Sequence, residues 1–156
     1  MALTVDFNLD EFERSDLATR QGLDNRVTLD SPVEYNLRRL CRDVLQPLRD
    51  LLGVPVRITS GYRSRVVNVL VGGDPGSAHV LGLAANFIAP EYGTPHEVAR
   101  RAEVAGLPFE QLLVEYGEWV HVSVPAGDAA PKREVLTTTR GAHGQTIYIP
   151  GIVRFD

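Results

Sequence analysis

Apolar residues recur at gaps of three and four between positions 32 and 52, and this periodicity predicts a long amphipathic helix. The stripe consists of Val33, Leu37, Leu40, Cys41, Val44, Leu45, Leu48, Leu51 and Leu52. Asp30 or Ser31 is expected to cap the helix, with Pro32 in its first turn, and Gly53 to end it in a left-handed conformation. Pro47 lies inside the stripe, so a kink is expected in the adjoining turn.

Several shorter apolar runs follow this helix and predict strands. They span residues 54–59, 83–89, 112–116, 119–123, 135–139 and 146–155, with short helices expected over 64–71 and 94–105. Gly117 and Glu118 between two of the runs predict a two-residue hairpin. Because the last strands follow one another without helices between them, the order favours an α+β fold with a small antiparallel sheet and flanking helices.

The length and composition are those of one ordinary globular domain. The chain has 156 residues, and we expect a single domain over 1–156 with an irregular N-terminal arm over 1–30. The single cysteine, Cys41, rules out an internal disulfide and lies on the apolar helix stripe, which indicates a core residue.

Charge and hydropathy exclude two classes of partner. The net charge is −4 and no Lys/Arg run reaches five residues, so we expect no nucleic-acid partner. No apolar segment is long enough to span a membrane, and the acidic N-terminus does not read as a signal peptide. We therefore expect a monomer that is made in the cytoplasm and reaches an external substrate only if another factor releases it.

The candidate chemistry centres on two histidines. His79 follows a loop rich in Gly, Pro and Ser, and His121 lies within an apolar strand-like run beside Trp119. A catalytic zinc site uses three His or carboxylate ligands and leaves one position open. A lone histidine of this kind is more often structural, so the surrounding pattern has to carry the assignment.

That pattern resembles a known family. The spacing S-x-H-x-x-G-x-A-x-N over residues 77–86, followed by W-V-H over 119–121, closely resembles the D-Ala-D-Ala carboxypeptidase and endolysin peptidases of the peptidase M15 family. The resemblance covers about residues 7–124, and residues 15–25 are similar to its phage and prophage branch. It implies a Hedgehog/DD-peptidase-like fold and a Zn²⁺-dependent hydrolase of peptidoglycan stem peptides, an endolysin-type enzyme of cell-wall degradation.

The resemblance also assigns the metal ligands. His79 and His121 match two zinc ligands, whereas Asn86 stands where the family has an aspartate. An asparagine offers only a neutral carbonyl oxygen, which lowers the affinity for zinc. The chain is then a weaker enzyme, a metal-free binding relative or a disabled variant of an active parent, and a buried amide bonded to the backbone is the competing interpretation of Asn86.

Two glutamates compete for the role of general base. Glu118 lies three residues before His121, where the family often has an acidic base. Glu115 is the alternative, but a two-residue hairpin would pair Glu115 with Val120 and place it on the face opposite His121. The predicted hairpin therefore favours Glu118, although a solvated turn residue is nearly as plausible for it.

The family's substrate-binding arginine corresponds to Arg63, whose planar fork suits a peptide carbonyl or a terminal carboxylate. Ser60, Tyr62 and Asn68 are expected on the same wall, and Ser77 either binds substrate or caps its loop. The expected function is zinc-dependent peptide hydrolysis. The alternative is an inactive cell-wall-binding or structural module of a phage or prophage, and the bond that is cut stays open between D-Ala-D-Ala, L-Ala-D-Glu and a cross-bridge.

Overall fold

The chain adopts the predicted α+β architecture in a computed structural model that describes residues 1–155. The helices are α1 (Leu9–Glu13), α2 (Asp16–Gln21), α3 (Pro32–Leu40), α4 (Gln46–Leu52), α5 (Arg65–Leu70) and α6 (Pro95–Val104). The strands are β1 (Arg57–Ser60), β2 (Ala84–Ile88), β3 (Gln111–Glu115), β4 (Trp119–Ser123), β5 (Glu134–Arg140) and β6 (Thr146–Pro150). Within the described part of the chain, no helix is both long and apolar enough to cross a bilayer.

The long predicted helix is present as α3 and α4, joined by a π-helical turn over Cys41–Leu45. The Ser31 side chain caps its start, and Gly53 ends it in the left-handed conformation. Pro47 has no N–H and its ring crowds the preceding turn, which accounts for the wider turn directly before it. Cys41 is fully buried, and burial raises the pKa of its thiol, as expected of a core residue.

The six strands form one mixed sheet in the order β1-β2-β4-β3-β5-β6. Four of the five strand pairings are antiparallel, as expected, and the exception is β5, which pairs with β3 in parallel. After β4 the chain passes through a loop to the start of β3, where the Arg133 and Glu134 N–H groups bond the Phe109 and Glu110 carbonyls. The chain therefore enters β5 from the same end as β3 and runs beside it in the same direction.

At strand β4, one face of the sheet is buried in the core and the other face carries polar side chains. Val120 and Val122 of β4 belong to the hydrophobic core, together with side chains of α3, α4 and α6. Successive side chains of a strand point to opposite faces, so Trp119 and His121 lie on the other face. The alternation of the W-V-H-V sequence thus places His121 in a strand with its ring outside the core.

The N-terminal arm is not irregular as expected, because it contains α1 and α2. Asn8 and Glu11 form a capping box at α1, and Ser15 caps α2. Both helices are too short to show a hydrophobic period, and Phe7 and Phe12 fix the arm to the core instead. The arm is therefore part of the packed structure.

The arm crosses the end of β1 at Gly61. The Tyr62 N–H donates to the Phe12 carbonyl at 2.8 Å, and a Cβ atom on Gly61 would lie 2.6 Å from the Phe12 Cα. Backbone meets backbone at this crossing, so neither side can move aside as a flexible side chain would. Glycine at position 61 lets the arm approach the segment that leads to Arg63.

We expect Gly61→Ala to lower the free energy of unfolding by about 2–3 kcal/mol, because the added methyl group overpacks a rigid contact. Urea denaturation measures the change. Gly76→Ala is the matched control, since its methyl group meets only the end of the Asp74 side chain and should cost less than about 0.5 kcal/mol. Equal stabilities of the two variants would contradict the close approach.

Candidate active site

The three predicted metal ligands converge on the polar face of the sheet. Antiparallel pairing of β2 with β4 sets Asn86 directly opposite His121. His79 comes from a 3-10 turn over Ala78–Leu81, and its ring centroid lies 5.2 Å from that of His121. Residues 42 positions apart in the chain thus present their imidazoles to one point.

His79 is held in a defined tautomer. Its Nδ1 lies 2.7 Å from the Gly61 carbonyl oxygen, and the residue is only 3% exposed. A carbonyl oxygen can only accept a hydrogen bond, so Nδ1 carries the proton and Nε2 keeps its lone pair. The Ser77 hydroxyl accepts from the His79 N–H and fixes the turn, so Ser77 acts as the cap. The free Nε2 is the ring atom suited to a metal ion.

Asn86 bonds the second histidine and not the backbone. Its Oδ1 lies 2.9 Å from Nδ1 of His121, and the residue is buried. Its side chain also lies near enough to His79 to affect the pKa of that ring. Asn86 therefore contacts one imidazole directly and lies close to the other.

Both imidazoles are kept neutral by burial. Desolvation, followed by the proximity of His121 and Arg63, lowers the pKa of His79 from 6.5 to about 3. Desolvation and the Arg63 charge lower the pKa of His121 from 6.5 to about 4. Neutral rings with available lone pairs are the form in which histidine binds a metal.

The hairpin between β3 and β4 differs from the predicted one, and the difference changes the candidate base. Glu115 pairs with Trp119, and Leu113 pairs with His121, so the loop has three residues. The two-residue hairpin is therefore wrong by one position, and a one-residue shift turns every side chain to the other face. Glu115 consequently lies on the same face as His121, with its Oε1 3.6 Å from the His121 Nδ1.

Glu118 is placed away from this group. It lies in the hairpin loop with an exposed side chain and lines a separate pocket beside His96 and Tyr116. The loop bends there because Tyr116 and Gly117 both adopt positive φ angles of 56° and 69°. Glu118 therefore does not face the imidazoles, contrary to the expectation for a base.

Glu115 sits in a half-buried pocket with one strong cation nearby. Burial raises the pKa of Glu115, while the Arg63 charge and the Trp119 indole lower it in part. The indole N–H of Trp119 is itself buried and makes no hydrogen bond of good geometry. The Glu115 carboxylate therefore holds a proton more readily than an exposed glutamate does.

Arg63 faces the same cleft, and two of its predicted neighbours hold it there. Its Nε bonds the Ser60 hydroxyl at 3.3 Å, and its Nη1 lies 3.5 Å from the Asn68 Oδ1. Burial lowers the pKa of Arg63 and the Glu115 charge raises it in part. Ser60 and Asn68 thus orient the guanidinium, whereas Tyr62 packs against the core.

Asn25 positions the Arg63 loop and was missed by the sequence analysis. Its amide donates to the carbonyls of Glu13 and Tyr62, and its oxygen accepts from the Ser64 N–H. One buried side chain thereby ties the arm to both sides of Arg63. No local sequence pattern around Asn25 predicts these contacts, because all of its partners lie 12 or more positions away.

The predicted metal ligands, Glu115 and Arg63 line a cleft of about 730 Å³. One wall holds Arg63 and the glycine-rich segment 72–77, and the floor holds the histidines and Glu115. The opposite wall is formed by Leu113, Leu136 and Tyr148. The cleft has the size of a ligand pocket and joins a charged end to an apolar end.

Zn²⁺ in proteins takes nitrogen, sulfur or oxygen ligands, usually in a tetrahedral arrangement. Two imidazoles and one amide oxygen lie close together, because the Asn86 Oδ1 is 2.9 Å from Nδ1 of His121 and the two ring centroids are 5.2 Å apart. Three nitrogen or oxygen donors are the number that a catalytic zinc site takes from the protein. Over residues 1–155, however, no three His, Cys, Asp or Glu side chains are grouped so that they could hold a metal ion. The residues present would give a zinc ion two imidazole ligands and one neutral oxygen, without an anionic ligand at position 86.

The sequence was matched to a model of a known protein family. A family model described as Peptidase M15 matches residues 5–123, which is more than half of the chain. No curated protein matches the sequence. The matched segment contains both histidines, Asn86 and Glu115, and it ends at the last residue of β4.

The lowered histidine pKa values predict that the metal-free protein loses stability as the pH falls below 6.5. In that range the histidines of the unfolded chain bind protons, whereas the folded rings stay neutral. This difference lowers the free energy of unfolding by roughly 2 kcal/mol per histidine near pH 5. The contribution of the two neutral histidines to the free energy of unfolding is fully present above pH 6.5. It continues to fall until the pH reaches the pKa values of the folded rings, about 4 for His121 and about 3 for His79.

Urea denaturation of zinc-free protein near pH 7.5 and near pH 5 measures this loss. His121→Asn should show no more than about half of it, because the substitution removes one titrating ring and also removes the part of the lowered His79 pKa that is due to His121. Ring-nitrogen NMR shifts showing either imidazole protonated at pH 6 would rule out the neutral pair.

Proposed function

The chain belongs to the peptidase M15 family, and from this premise we propose that its cleft binds Zn²⁺ and hydrolyses peptide bonds of peptidoglycan stem peptides. The convergence of His79, Asn86, His121 and Glu115 on one face of the sheet carries the proposal. Peptide hydrolysis needs a metal site, a proton acceptor and an oxygen-binding group within reach of one bond, and this cleft presents residues suited to each.

The metal would be held by His79 and His121, with the Asn86 carbonyl oxygen as a neutral third donor. A bound Zn²⁺ supplies Lewis-acid chemistry, polarising a peptide carbonyl and making water more acidic. The Gly61 carbonyl supports this role by fixing the His79 tautomer, since a second-shell hydrogen bond orients a ligand ring.

Glu115 is the proposed proton acceptor and donor. It takes a proton from the attacking water and returns it to the amine that leaves. Its Oε1 lies 3.6 Å from the His121 Nδ1, which supports this role because His121 is a proposed metal ligand. Burial raises the pKa of Glu115, which brings the group closer to the value that suits proton transfer near neutral pH.

Arg63 is proposed to hold an oxygen of the substrate. It is a permanent cation in the same cleft, and Ser60 and Asn68 restrict its orientation. A preoriented donor stabilises negative charge that develops on a carbonyl oxygen, and it also binds a terminal carboxylate.

A second function is favoured by one observation, the amide at position 86. Without an anionic ligand, the same cleft can bind a stem peptide through Arg63 and the apolar wall without cutting it. In this form the protein would be a cell-wall-binding module of the same family. The two functions differ in metal affinity and turnover, so they can be separated by substitution.

We expect Asn86→Asp to bind Zn²⁺ roughly 100-fold more tightly than the wild-type chain, a gain of about 3 kcal/mol from one anionic ligand. Competition with a chromophoric chelator measures the affinity. Asn8→Asp adds the same charge at an exposed helix cap and should leave zinc binding unchanged. If the zinc affinities of Asn86→Asp and wild type agree, residue 86 does not face the metal.

We expect Glu115→Gln to lower kcat by about 10²–10⁴-fold, because the amide cannot accept the proton. Glu118→Gln is the control and should stay within about twofold, since its side chain lies outside the cleft. Both are made in the Asn86→Asp chain with saturating zinc, and new amino termini released from purified peptidoglycan are counted. A large loss in Glu118→Gln alone would reverse the assignment.

A further inference from the structure

We propose that the β5–β6 hairpin forms an accessory binding wall for an uncharged C–H face of the substrate, about three residues along from the reacting bond. The inference rests on the proposed function and deepens it. The hairpin spans residues 134–150, whereas the family match ends at residue 123. The hairpin therefore lies outside the matched segment, and its Leu136 and Tyr148 side chains border the same cleft.

Strand register places Tyr148 on the cleft face. Glu115 of β3 pairs with Thr138 of β5, and Thr138 pairs with Tyr148 of β6. Directly paired residues point to the same face, so Tyr148 shares the face of Glu115. The Tyr148 side chain lines the cleft and is 61% exposed, which is unusual for a large aromatic residue beside a pocket.

A second row of side chains makes the wall apolar. His121 pairs with Leu113, Leu113 with Leu136, and Leu136 with Pro150. Leu113 and Leu136 line the cleft together with Tyr148. These side chains carry no charge, so the wall suits a C–H-rich group and disfavours an ionised one.

Strand spacing gives the reach of the wall. Adjacent strands lie about 4.8 Å apart, so two strand intervals put Tyr148 about 10 Å from the Glu115 position. An extended peptide advances about 3.3 Å per residue. Tyr148 therefore meets the part of a substrate that lies about three residues from the bond next to Glu115.

The hairpin is anchored, so the wall is formed before binding. The Tyr116 hydroxyl lies 2.7 Å from the Thr146 hydroxyl, and the Arg140 guanidinium stacks on the Tyr116 ring at 4.3 Å. At the other end of the hairpin, the Thr137 hydroxyl donates to the Gly151 carbonyl at 2.7 Å. A preformed aromatic surface loses little conformational entropy when a ligand covers it.

The C–H face can come from two sources in a peptidoglycan fragment. One is the aliphatic part of a peptide side chain, and the other is the ring of the sugar that carries the peptide. Both present the same chemistry to Tyr148. They are distinguished by comparing the stem pentapeptide L-Ala-D-Glu-L-Lys-D-Ala-D-Ala with the same peptide attached to N-acetylmuramic acid.

The test is the dissociation constant of each probe, measured by calorimetry without added metal so that turnover does not enter. We expect Tyr148→Ala to weaken binding of at least one probe about five- to tenfold, and Tyr148→Phe to retain it because the ring remains. Ile147→Ala is the matched control, since Ile147 is the adjacent residue and faces the opposite side of the same edge strand.

A loss with the peptide alone assigns the contact to a side chain, and a loss confined to the muramyl peptide assigns it to the sugar. Equal affinities of Tyr148→Ala and wild type for both probes would overturn the accessory wall while leaving the proposed function intact. If neither probe binds the wild-type or the Asn86→Asp chain, the proposed function fails and the wall with it.

Discussion

The hydrogen bond from the His79 Nδ1–H to the Gly61 carbonyl is the constraint on which the site depends. It fixes the proton on one ring nitrogen and frees the other, and it is buried away from competing water. The Gly61 carbonyl is itself fixed by the arm, because Phe12 packs against Gly61 and accepts from the next N–H. Asn25 secures the following residues. The N-terminal arm therefore sets the chemistry of a histidine that lies more than fifty positions further along.

The second constraint is the strand register, which decides which glutamate can act. Side chains alternate along a strand, so a loop of three residues and a loop of two give opposite answers for Glu115. The observed loop has three residues, and Tyr116 in it adopts a positive φ angle that non-glycine residues seldom take. The sequence G-E alone favours the shorter turn. The number of residues between a glutamate and His121 therefore does not show which glutamate faces the histidines. The pairing of residues across the sheet shows it.

Features with a local cause could be predicted from the sequence. The long helix with its Ser31 cap follows from a short pattern, whereas the convergence of His79 with His121 was expected only from the resemblance to a family. Features that depend on one long-range contact could not. The parallel pairing of β5 depends on where the loop after β4 rejoins β3, and the role of Asn25 depends on three distant backbone groups. Such contacts leave no period or spacing in the chain.

Asn86 affects the site with and without metal. In the metal-free cleft, the Glu115 carboxylate offsets the Arg63 charge and both imidazoles are neutral. An aspartate at position 86 would add a buried negative charge there, which is costly unless a histidine takes up a proton or a cation binds. The asparagine removes that cost and, at the same time, removes the anionic ligand that favours the cation. In a chain that binds the metal as proposed, both effects would favour the metal-free protein over the metal-bound one, so residue 86 would set how tightly the metal is held.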